Sequence, residues 1–308
     1  MKMNLRNPLT LVFCLLLATT LQAQKKYRLA LKLTPNTSYL VEQDINQRVE
    51  QTVMGRDQTT KQVTRTTYEY RIKDKQRDDF YDVEVVYKKI YYKSDASVYD
   101  SETPESNSPV LAQIFDVIIG SKLTMKLNEN GQVKDLTGAN ELIDKMMSTK
   151  AIPDGPMKDR LKTTFNNAFG EKAMLEAMEQ FFNIYPKKKI KVGQSWSKTL
   201  EKKAGFPSKN DFTWKLQEVN KGVALVKVKA DINPKPGSKV DLGMAIARYN
   251  LKGNHEGSSD IDIKSGWVKN GYGKMTLTGK MYITITGQTD EVEVDVKITT
   301  TTKHKTLE

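Results

Sequence analysis

Residue types that commonly perform chemistry are scarce in this sequence, and their spacing matches no familiar catalytic or metal-binding motif. The chain has two histidines, His255 and His304, and one cysteine, Cys14. Neither histidine has a second histidine four residues away or a cysteine partner, so the usual zinc patterns are missing. His255 lies in a glycine-flanked segment, 253–257, that indicates a turn, and His304 lies in the C-terminal tail. The sequence therefore predicts no metal, no cofactor and no catalytic residue, and we expect a protein that is not an enzyme.

Carboxylates could support acid–base chemistry without a local motif, which keeps a hydrolase among the hypotheses. Asp260 and Asp262 alternate on one predicted strand face, and Glu291, Glu293 and Asp295 alternate on another. Valines occupy the intervening positions of the second strand, as expected for a strand with one solvated face. Catalysis would require at least two of these carboxylates to converge in a cleft.

Methionines and phenylalanines in the middle of the chain give the clearest indication of ligand binding. Methionine is flexible and polarisable, so it suits surfaces that adapt to irregular apolar ligands. Ordinary core packing is the competing interpretation, since apolar stripes on helices usually pack inward. The candidate apolar cavity, between helices and sheet, comprises Met146, Met147, Phe165, Met174, Met178, Phe181 and Phe182.

The elements that must position these residues change their periodicity twice along the chain. Alternation of apolar and polar residues predicts strands up to about residue 136 and again after Val192, whereas residues 138–183 follow the helical period. We predict an α+β protein that is mostly antiparallel β, built as a curved sheet or two β-meanders with a central helical insertion. The predicted regions are 24–136 (N-terminal β-rich), 137–186 (helical insertion) and 187–308 (C-terminal β-rich), and residues 24–308 could form one domain.

Several local signals predict where individual elements begin and end. Alternating apolar residues predict a first strand from Tyr27 to Leu33, and the polar segment 94–108 indicates an exposed loop. Asn130-Gly131 is a strong hairpin signal, and Pro156 suits the first turn of a helix. Asn270-Gly271 indicates a further turn between strands.

Residues 1–23 have the parts of a secretory signal peptide. Lys2 and Arg6 supply the positive start, and the apolar run from Leu9 to Leu21 is too short to span a bilayer, which takes about 20 residues. Cleavage is expected after Ala23, so we expect an exported protein, either periplasmic or secreted. Residues 24–308 contain no cysteine. The core must therefore be stable without disulfides, which an oxidising compartment would permit.

Positive charge limits the partners of such a protein. The full chain carries +12, and removing Lys2 and Arg6, the charged residues of 1–23, leaves +10. An exported protein does not meet chromosomal nucleic acid, so anionic membrane surfaces or acidic polymers are the partners to consider. The alternative interpretation is that dispersed charge only maintains solubility. The densest basic run is Lys187-Lys188-Lys189-Ile190-Lys191. After residue 23, no segment is apolar and long enough to be a transmembrane helix.

Short motifs of the sequence also resemble those of a protein family. Tyr185-Pro186 precedes Val192-Gly193-Gln194-Ser195-Trp196, and Ser265-Gly266-Trp267-Val268 follows late in a β-rich half. Ala23-Gln24 is followed by Lys25-Lys26-Tyr27. With these motifs the chain resembles an uncharacterised family of exported Bacteroidota proteins, a domain of unknown function. The resemblance implies a compartment and a fold, and it implies no reaction and no catalytic residues.

Three functional hypotheses remain open on the sequence. The first is an exported, non-catalytic binding protein for an apolar or amphipathic ligand, such as a lipid, held between sheet and helices. The second is an interaction module of the cell envelope that uses a sheet face, an edge strand or the basic run to contact a protein or an anionic surface. The third is a hydrolase with scattered carboxylates.

Overall fold

Extended segments dominate the computed structural model of this chain, which describes residues 25–103, 107–204, 206–235, 237–243 and 245–307. The predicted signal peptide, residues 1–23, lies outside the described residues. The strands are β1 (Lys26–Tyr27), β2 (Thr37–Val53), β3 (Arg56–Lys75), β4 (Phe80–Ser94), β5 (Val98–Asp100), β6 (Lys122–Asn128), β7 (Val133–Thr137), β8 (Ile190–Lys191), β9 (Ser195–Lys202), β10 (Ser208–Asn220), β11 (Val223–Pro234), β12 (Lys239–Asp241), β13 (Ala245–Asp262), β14 (Val268–Ile285) and β15 (Glu291–Leu307). The helices are α1 (Pro109–Asp116), α2 (Ala139–Met147), α3 (Pro156–Phe169) and α4 (Glu171–Phe182).

One large antiparallel sheet joins two meanders. Its strand order is β7-β6-β4-β3-β2-β15-β14-β13-β11-β10-β9, with β5 paired to β4 and β12 to β13. The meanders meet where β15 pairs with β2, from Asp295↔Thr52 to Leu307↔Leu40. The mostly antiparallel β prediction is therefore confirmed. The short strands β1 and β8 form a separate pair.

The sheet curls so that one helix reaches both of its ends. In a flat sheet, ten spacings of about 4.8 Å would hold β7 about 48 Å from β9. Helix α4 packs on β7. On the same helix Glu176 Oε2 accepts hydrogen bonds of 2.9 Å from the backbone N–H groups of Lys203 and Ala204, directly after β9. A helix of 12 residues is only about 18 Å long, so the two edges must approach each other, and the helices lie on the concave side.

Turns and helix starts follow the local sequence signals. Gly131 has a φ of +80° in the connection between β6 and β7, where Asn130-Gly131 predicts a hairpin. The residue pair Lys221-Gly222, with φ values of 46° and 82°, forms the two-residue turn between β10 and β11, since both positions require positive φ. Pro156 begins α3 as predicted, and Gly170 separates α3 from α4.

Aromatic residues anchor the core where the two meanders meet. Trp267 stacks on Tyr39 with ring centroids 4.0 Å apart, and its Nε1 donates to Thr306 Oγ1 at 3.0 Å. The buried Tyr185 donates its hydroxyl to the carbonyl of Gly266 at 2.7 Å. These contacts connect the segment after α4 to β2, β14 and β15, so the helical insertion is fixed to the centre of the sheet.

The predicted first strand is mostly wrong. Only Lys26 and Tyr27 pair as β1, although Leu29, Leu31 and Leu33 are all buried. The backbone N–H of Leu31 donates to the carbonyl of Glu129. Ala30 is also only 1% exposed, so the segment is enclosed on both sides where the alternation predicts one solvated face, and only Lys26 and Tyr27 pair with a partner strand.

The predicted exposed loop over 94–108 is also partly wrong. It contains β5, which pairs with β4, and Tyr99 is only 3% exposed. The Tyr99 hydroxyl donates to Asp116 Oδ1 at 2.8 Å, and its ring packs on Phe115 of α1. One aromatic residue in an otherwise polar segment thus anchors the strand to the helix.

Three predicted irregular segments are instead parts of long strands. His255 lies within β13 and His304 within β15, while Asn270 and Gly271 lie within β14. A Cβ at Gly271 would lie 2.1 Å from His304 Cε1. The glycine therefore makes room for an imidazole ring across the strands, and a glycine that accommodates a neighbour resembles a turn signal in the sequence.

Candidate functional site

A cavity of about 620 Å³ lies between the concave face of the sheet and the helices. Its walls come from β2, β3, β4, β6 and the end of β9 on the sheet side and from the four described helices on the other. The lining side chains are predominantly aliphatic and aromatic. They are Gln43, Ile45, Gln47, Gln62, Thr64, Thr66, Tyr68, Tyr70, Tyr87, Ile90, Tyr92, Phe115, Ile118, Leu123, Ala139, Leu142, Ile143, Met146, Phe165, Ala168, Phe169, Ala173, Met174, Glu176, Ala177, Met178, Gln180, Phe181, Lys202 and Ala204.

The sheet wall of the cavity follows from strand periodicity. Every second residue of β3 from Gln62 to Tyr70 faces the cavity, because successive side chains point to opposite faces. These eight residue steps span about 26 Å at a rise of about 3.3 Å each. The cavity is thus elongated along β3, a shape that suits an extended molecule.

The inner end of this wall is aromatic. The Tyr68 ring lies 5.1 Å from that of Tyr87 and 6.2 Å from that of Tyr70, centroid to centroid. Burial raises the pKa of all three phenols, and proximity to Tyr68 adds to the effect at Tyr70 and Tyr87. The phenols are therefore neutral at physiological pH and present apolar ring faces with a polar tip.

The other end of the same wall is polar. Gln47 and Gln62 are directly opposite each other on β2 and β3, and Ile45 pairs with Thr64 one inward-facing position further along. Gln47 Nε2 donates to Thr300 Oγ1 at 3.3 Å. The cavity therefore runs from half-buried amides and hydroxyls to buried rings, which matches the polarity gradient of an amphipathic molecule.

The helical wall carries most of the candidate residues from the sequence. Met146, Phe165, Met174, Met178 and Phe181 line the cavity. Met147 and Phe182 are each 2% exposed and belong to the core beside it. Phe182 packs against Tyr70 and Trp267, with ring centroids 5.9 Å apart in both pairs.

Hydrogen bonds between the helices and the sheet region hold the helical wall in place. Thr164 Oγ1 donates to the carbonyl of Leu242 at 2.7 Å, and Asn167 Nδ2 donates to that of Asp241 at 2.8 Å, which fixes α3 beside β12. Lys198 Nζ donates to the carbonyl of Asn183 at 3.1 Å, where a cation also complements the C-terminal end of α4. Burial lowers the pKa of Lys198 to about 8, with a contribution from Lys187.

Among the described residues that line the cavity, Lys202 is the one with a cationic side chain. It ends β9, whose inward-facing residues are Trp196, Lys198, Leu200 and Lys202. Burial lowers the pKa of Lys202, while Glu176 acts in the opposite direction. Within the described residues, no acceptor or carboxylate lies within bonding distance of its ammonium.

The structure arranges the histidines and the acidic residues separately. Over the described ranges, no three His, Cys, Asp or Glu side chains are grouped so that they could hold a metal ion. Glu291 accepts from Arg248, and Glu293 is paired with Lys280, on exposed strand positions. Asp262 Oδ1 accepts from Ser265 N and Oγ at 2.7 Å each, which stabilises the turn before β14.

Reasoning from the sequence missed the sheet half of the cavity. Tyr68, Tyr70 and Tyr87 alternate in strands as any half-buried residues do, so their pattern gives no sign of a cavity. Lys202 resembles any other lysine of a basic chain. Its inward position depends on the register of β9 with β10, where Lys202 pairs with Ser208, and this pairing is not visible in the sequence.

No helix of the described chain combines the length and the apolar character needed to cross a membrane.

Comparisons with known proteins place the fold and leave the activity open. The profile of DUF6263, a family of unknown function, matches residues 78–268, more than half of the chain. A search of curated proteins found no match. A solved structure described as lipid–protein interactions in lipovitellin is similar with a TM-score of 0.52 at 8% identity, over 90% of this chain and 26% of that chain. The chain thus corresponds to about a quarter of that protein.

A second solved structure, DynF from the dynemicin biosynthesis pathway of Micromonospora chersina, matches at 9% identity over 91% of this chain and 85% of that chain. Its TM-score of 0.20 is too low to support a shared fold.

Proposed function

The chain belongs to the DUF6263 family of unknown function, and we propose that it is a non-catalytic binding protein that holds an apolar or amphipathic ligand between its sheet and its helices. The cavity beneath the helices is the observation that carries this proposal. Its volume of about 620 Å³ falls in the range of about 300–1,000 Å³ typical of ligand pockets. A cavity of this size inside a core otherwise packed with buried side chains is costly to maintain without a use.

The shape and polarity of the cavity support a single-chain amphiphile better than a compact ligand. The β3 wall extends about 26 Å from Gln62 to Tyr70, and its polar groups are concentrated at the Gln62 end. Methionines 146, 174 and 178 supply an adaptable opposite wall. The similar lipovitellin structure concerns lipid–protein interactions. At 8% identity that likeness supports a related fold and does not identify a ligand for this chain.

The proposal includes export and the absence of catalysis. The signal-like features of residues 1–23 support export. Export also agrees with the proposed binding, since a carrier of apolar ligands is useful where lipids must cross an aqueous compartment. The partners of Glu291, Glu293 and Asp262 support structural roles for those carboxylates. A lipid with an anionic head group and a neutral lipid would bind in the same cavity.

Binding of a neutral apolar fluorophore, N-phenyl-1-naphthylamine, tests the proposal. We expect saturable binding with one site per chain. Ala173→Trp would place an indole in the cavity and weaken binding about tenfold or more, whereas Ala96→Trp, on an exposed loop, would leave it unchanged. Absence of saturable binding, or equal binding by Ala173→Trp and the unmodified chain with both folded by circular dichroism, would refute the proposal.

A lysine patch on the surface supports a second candidate function, contact with an anionic membrane surface. Pairing of β1 with β8 places Lys26 opposite Lys191. The patch consists of Lys25, Lys26, Lys187, Lys188, Lys189 and Lys191, none of which forms an ion pair with a described residue. Arg28 fixes the segment by donating to the carbonyls of Pro186 and Lys187.

Co-sedimentation with vesicles tests this second candidate. Replacing Lys187, Lys188 and Lys189 by glutamine removes three charges and is expected to weaken binding to vesicles with anionic lipid, since each basic residue near such a surface contributes about 1 kcal/mol. The control replaces Lys215, Lys227 and Lys229, exposed on the outer face of the other meander. Equal loss in both variants would show that net charge acts without a specific patch.

A further inference from the structure

We infer that Lys202 recognises the anionic head group of an amphiphile whose chain occupies the cavity. This inference rests on the proposed function and names the class of its ligand. The ligand class is a single-chain amphiphile with a carboxylate or phosphate head group. Lys202 lines the same cavity as the apolar side chains that would contact the chain.

The register of β9 determines the position of Lys202. Burial alternates along β9, with exposed Ser195, Ser197, Thr199 and Glu201 between the inward-facing residues. Lys202 is the last of the inward-facing residues and pairs with the buried Ser208 of β10. Lys202 lines the cavity together with Ala173 and Ala177 of α4, and Glu176 of the same helix bonds to the backbone directly after it.

The neighbours of Lys202 differ from those of the other inward-facing lysine. Lys198 Nζ donates to both oxygens of Asn183. Lys202 Nζ has no such partner among the described residues. A half-buried ammonium without a partner is costly, and an anion that enters its site recovers the interaction. The polar function of Lys202 is therefore available to a ligand.

Glu176 lines the same cavity, but it does not form an ion pair with the Lys202 ammonium. Its Oε2 accepts from the backbone N–H groups of Lys203 and Ala204. The carboxylate is thus used to fix the chain that follows β9 to helix α4. It lies beyond ion-pair distance of the Lys202 ammonium and acts on it only through longer-range attraction. A bound anion would in turn favour the protonated ammonium of Lys202.

Displacement of N-phenyl-1-naphthylamine by probes of equal chain length tests the inference. The probes are laurate and dodecyl phosphate, which are anionic, dodecanol, which is neutral, and dodecyltrimethylammonium, which is cationic. In the unmodified chain we expect both anions to displace the fluorophore at lower concentration than dodecanol, and the cation to be the weakest. The relative strength of laurate and dodecyl phosphate identifies the preferred head group.

Substitution of the lysine locates the effect. Lys202→Gln is expected to weaken binding of the anions about tenfold and to leave the affinities for dodecanol and the fluorophore unchanged. Unchanged fluorophore binding also shows that the variant is folded. Lys202→Arg should retain the anion preference. The matched control Lys203→Gln, on the neighbouring exposed residue, should behave as the unmodified chain.

The outcomes separate this inference from the proposed function. If dodecanol and the anions bind equally, or if Lys202→Gln weakens all probes alike, Lys202 does not recognise a head group while the cavity remains a binding site. If the fluorophore and all probes fail to bind, the proposed function itself is refuted.

Discussion

At the scale of single residues, His304 illustrates how a long strand buries a titratable ring beside the candidate site. Its ring packs on Phe181 of the cavity wall, with centroids 5.3 Å apart, and its Nε2 has no partner among the described residues. Burial lowers the pKa of His304 from 6.5 to about 4, against a smaller opposing effect of Asp260. The ring is therefore neutral at physiological pH and supports Phe181, although His304 itself does not line the cavity.

This residue predicts a specific loss of stability in acid. Because the folded pKa is lower than the unfolded one, the unfolded chain binds more protons between pH 6.5 and about 4, so stability falls as the pH falls through this window. Between pH 7 and pH 5 the contribution of His304 is a loss of about 2 kcal/mol. His304→Phe keeps the ring contact and removes the titration. Urea unfolding at both pH values should show a smaller acid-induced loss in the variant, and an unchanged loss would contradict the assigned burial.

The residues that form the site were only partly predictable from the sequence. The helical period selects Met146, Met174, Met178 and Phe181, because one face of each helix must be apolar whether it meets a core or a cavity. It cannot separate these from Phe182, which fills the core. The strand residues Tyr68 and Lys202 depend on which sheet face is concave, and curvature is a property of the assembled sheet.

At the scale of elements, the β6–β7 hairpin determines how closely helix α4 approaches the sheet. Gly131 has a φ of +80°, and a Cβ there would lie 1.8 Å from the carbonyl oxygen of Phe182, the last residue of α4. Gly222 has a φ of +82° in the two-residue turn between β10 and β11, and open space surrounds it. The two glycines thus share a backbone conformation and differ in their surroundings.

Alanine substitutions at these two turns separate backbone strain from packing. Gly222→Ala should cost only the positive-φ penalty of about 1 kcal/mol. Gly131→Ala carries the same penalty and also displaces α4. We therefore expect its loss of folding stability to exceed that of Gly222→Ala by about 2 kcal/mol or more. It should also weaken fluorophore binding, since α4 carries one cavity wall. Thermal unfolding of both variants gives the comparison, and equal losses would show that α4 is not held against the hairpin.

Element types were more predictable than element partners. Helices α1 and α3 begin at prolines, and turns occur at Asn130-Gly131 and Lys221-Gly222, because those residues act through local backbone geometry. The segment after Tyr27 is not a strand, because Leu29, Ala30 and Leu31 are all buried without pairing to a partner strand. Asn270-Gly271 failed as a turn because glycine there accommodates the His304 ring from the next strand.

At the scale of the complete fold, the width of the sheet and the length of the helices determine its shape. The helices are too short to cover the sheet if it were flat, so the sheet curls around them. Contacts of α4 with β7 and with the segment after β9 bring the two edges together, and the cavity occupies the space that the helices do not fill. The sequence predicted the two β-rich regions and the helices between them. The pairing of β15 with β2, which unites the regions, joins residues more than 200 positions apart and has no local signal.

Native mass spectrometry of the chain purified from cells that produce it, combined with organic extraction of what co-purifies, tests whether the cavity holds a ligand. We predict one apolar or amphipathic molecule per chain in the unmodified protein and in Ala96→Trp, and its loss in Ala173→Trp. A ligand-free mass for the unmodified chain that persists after incubation with laurate, dodecyl phosphate and dodecanol would show that the cavity is not a binding site for amphiphiles.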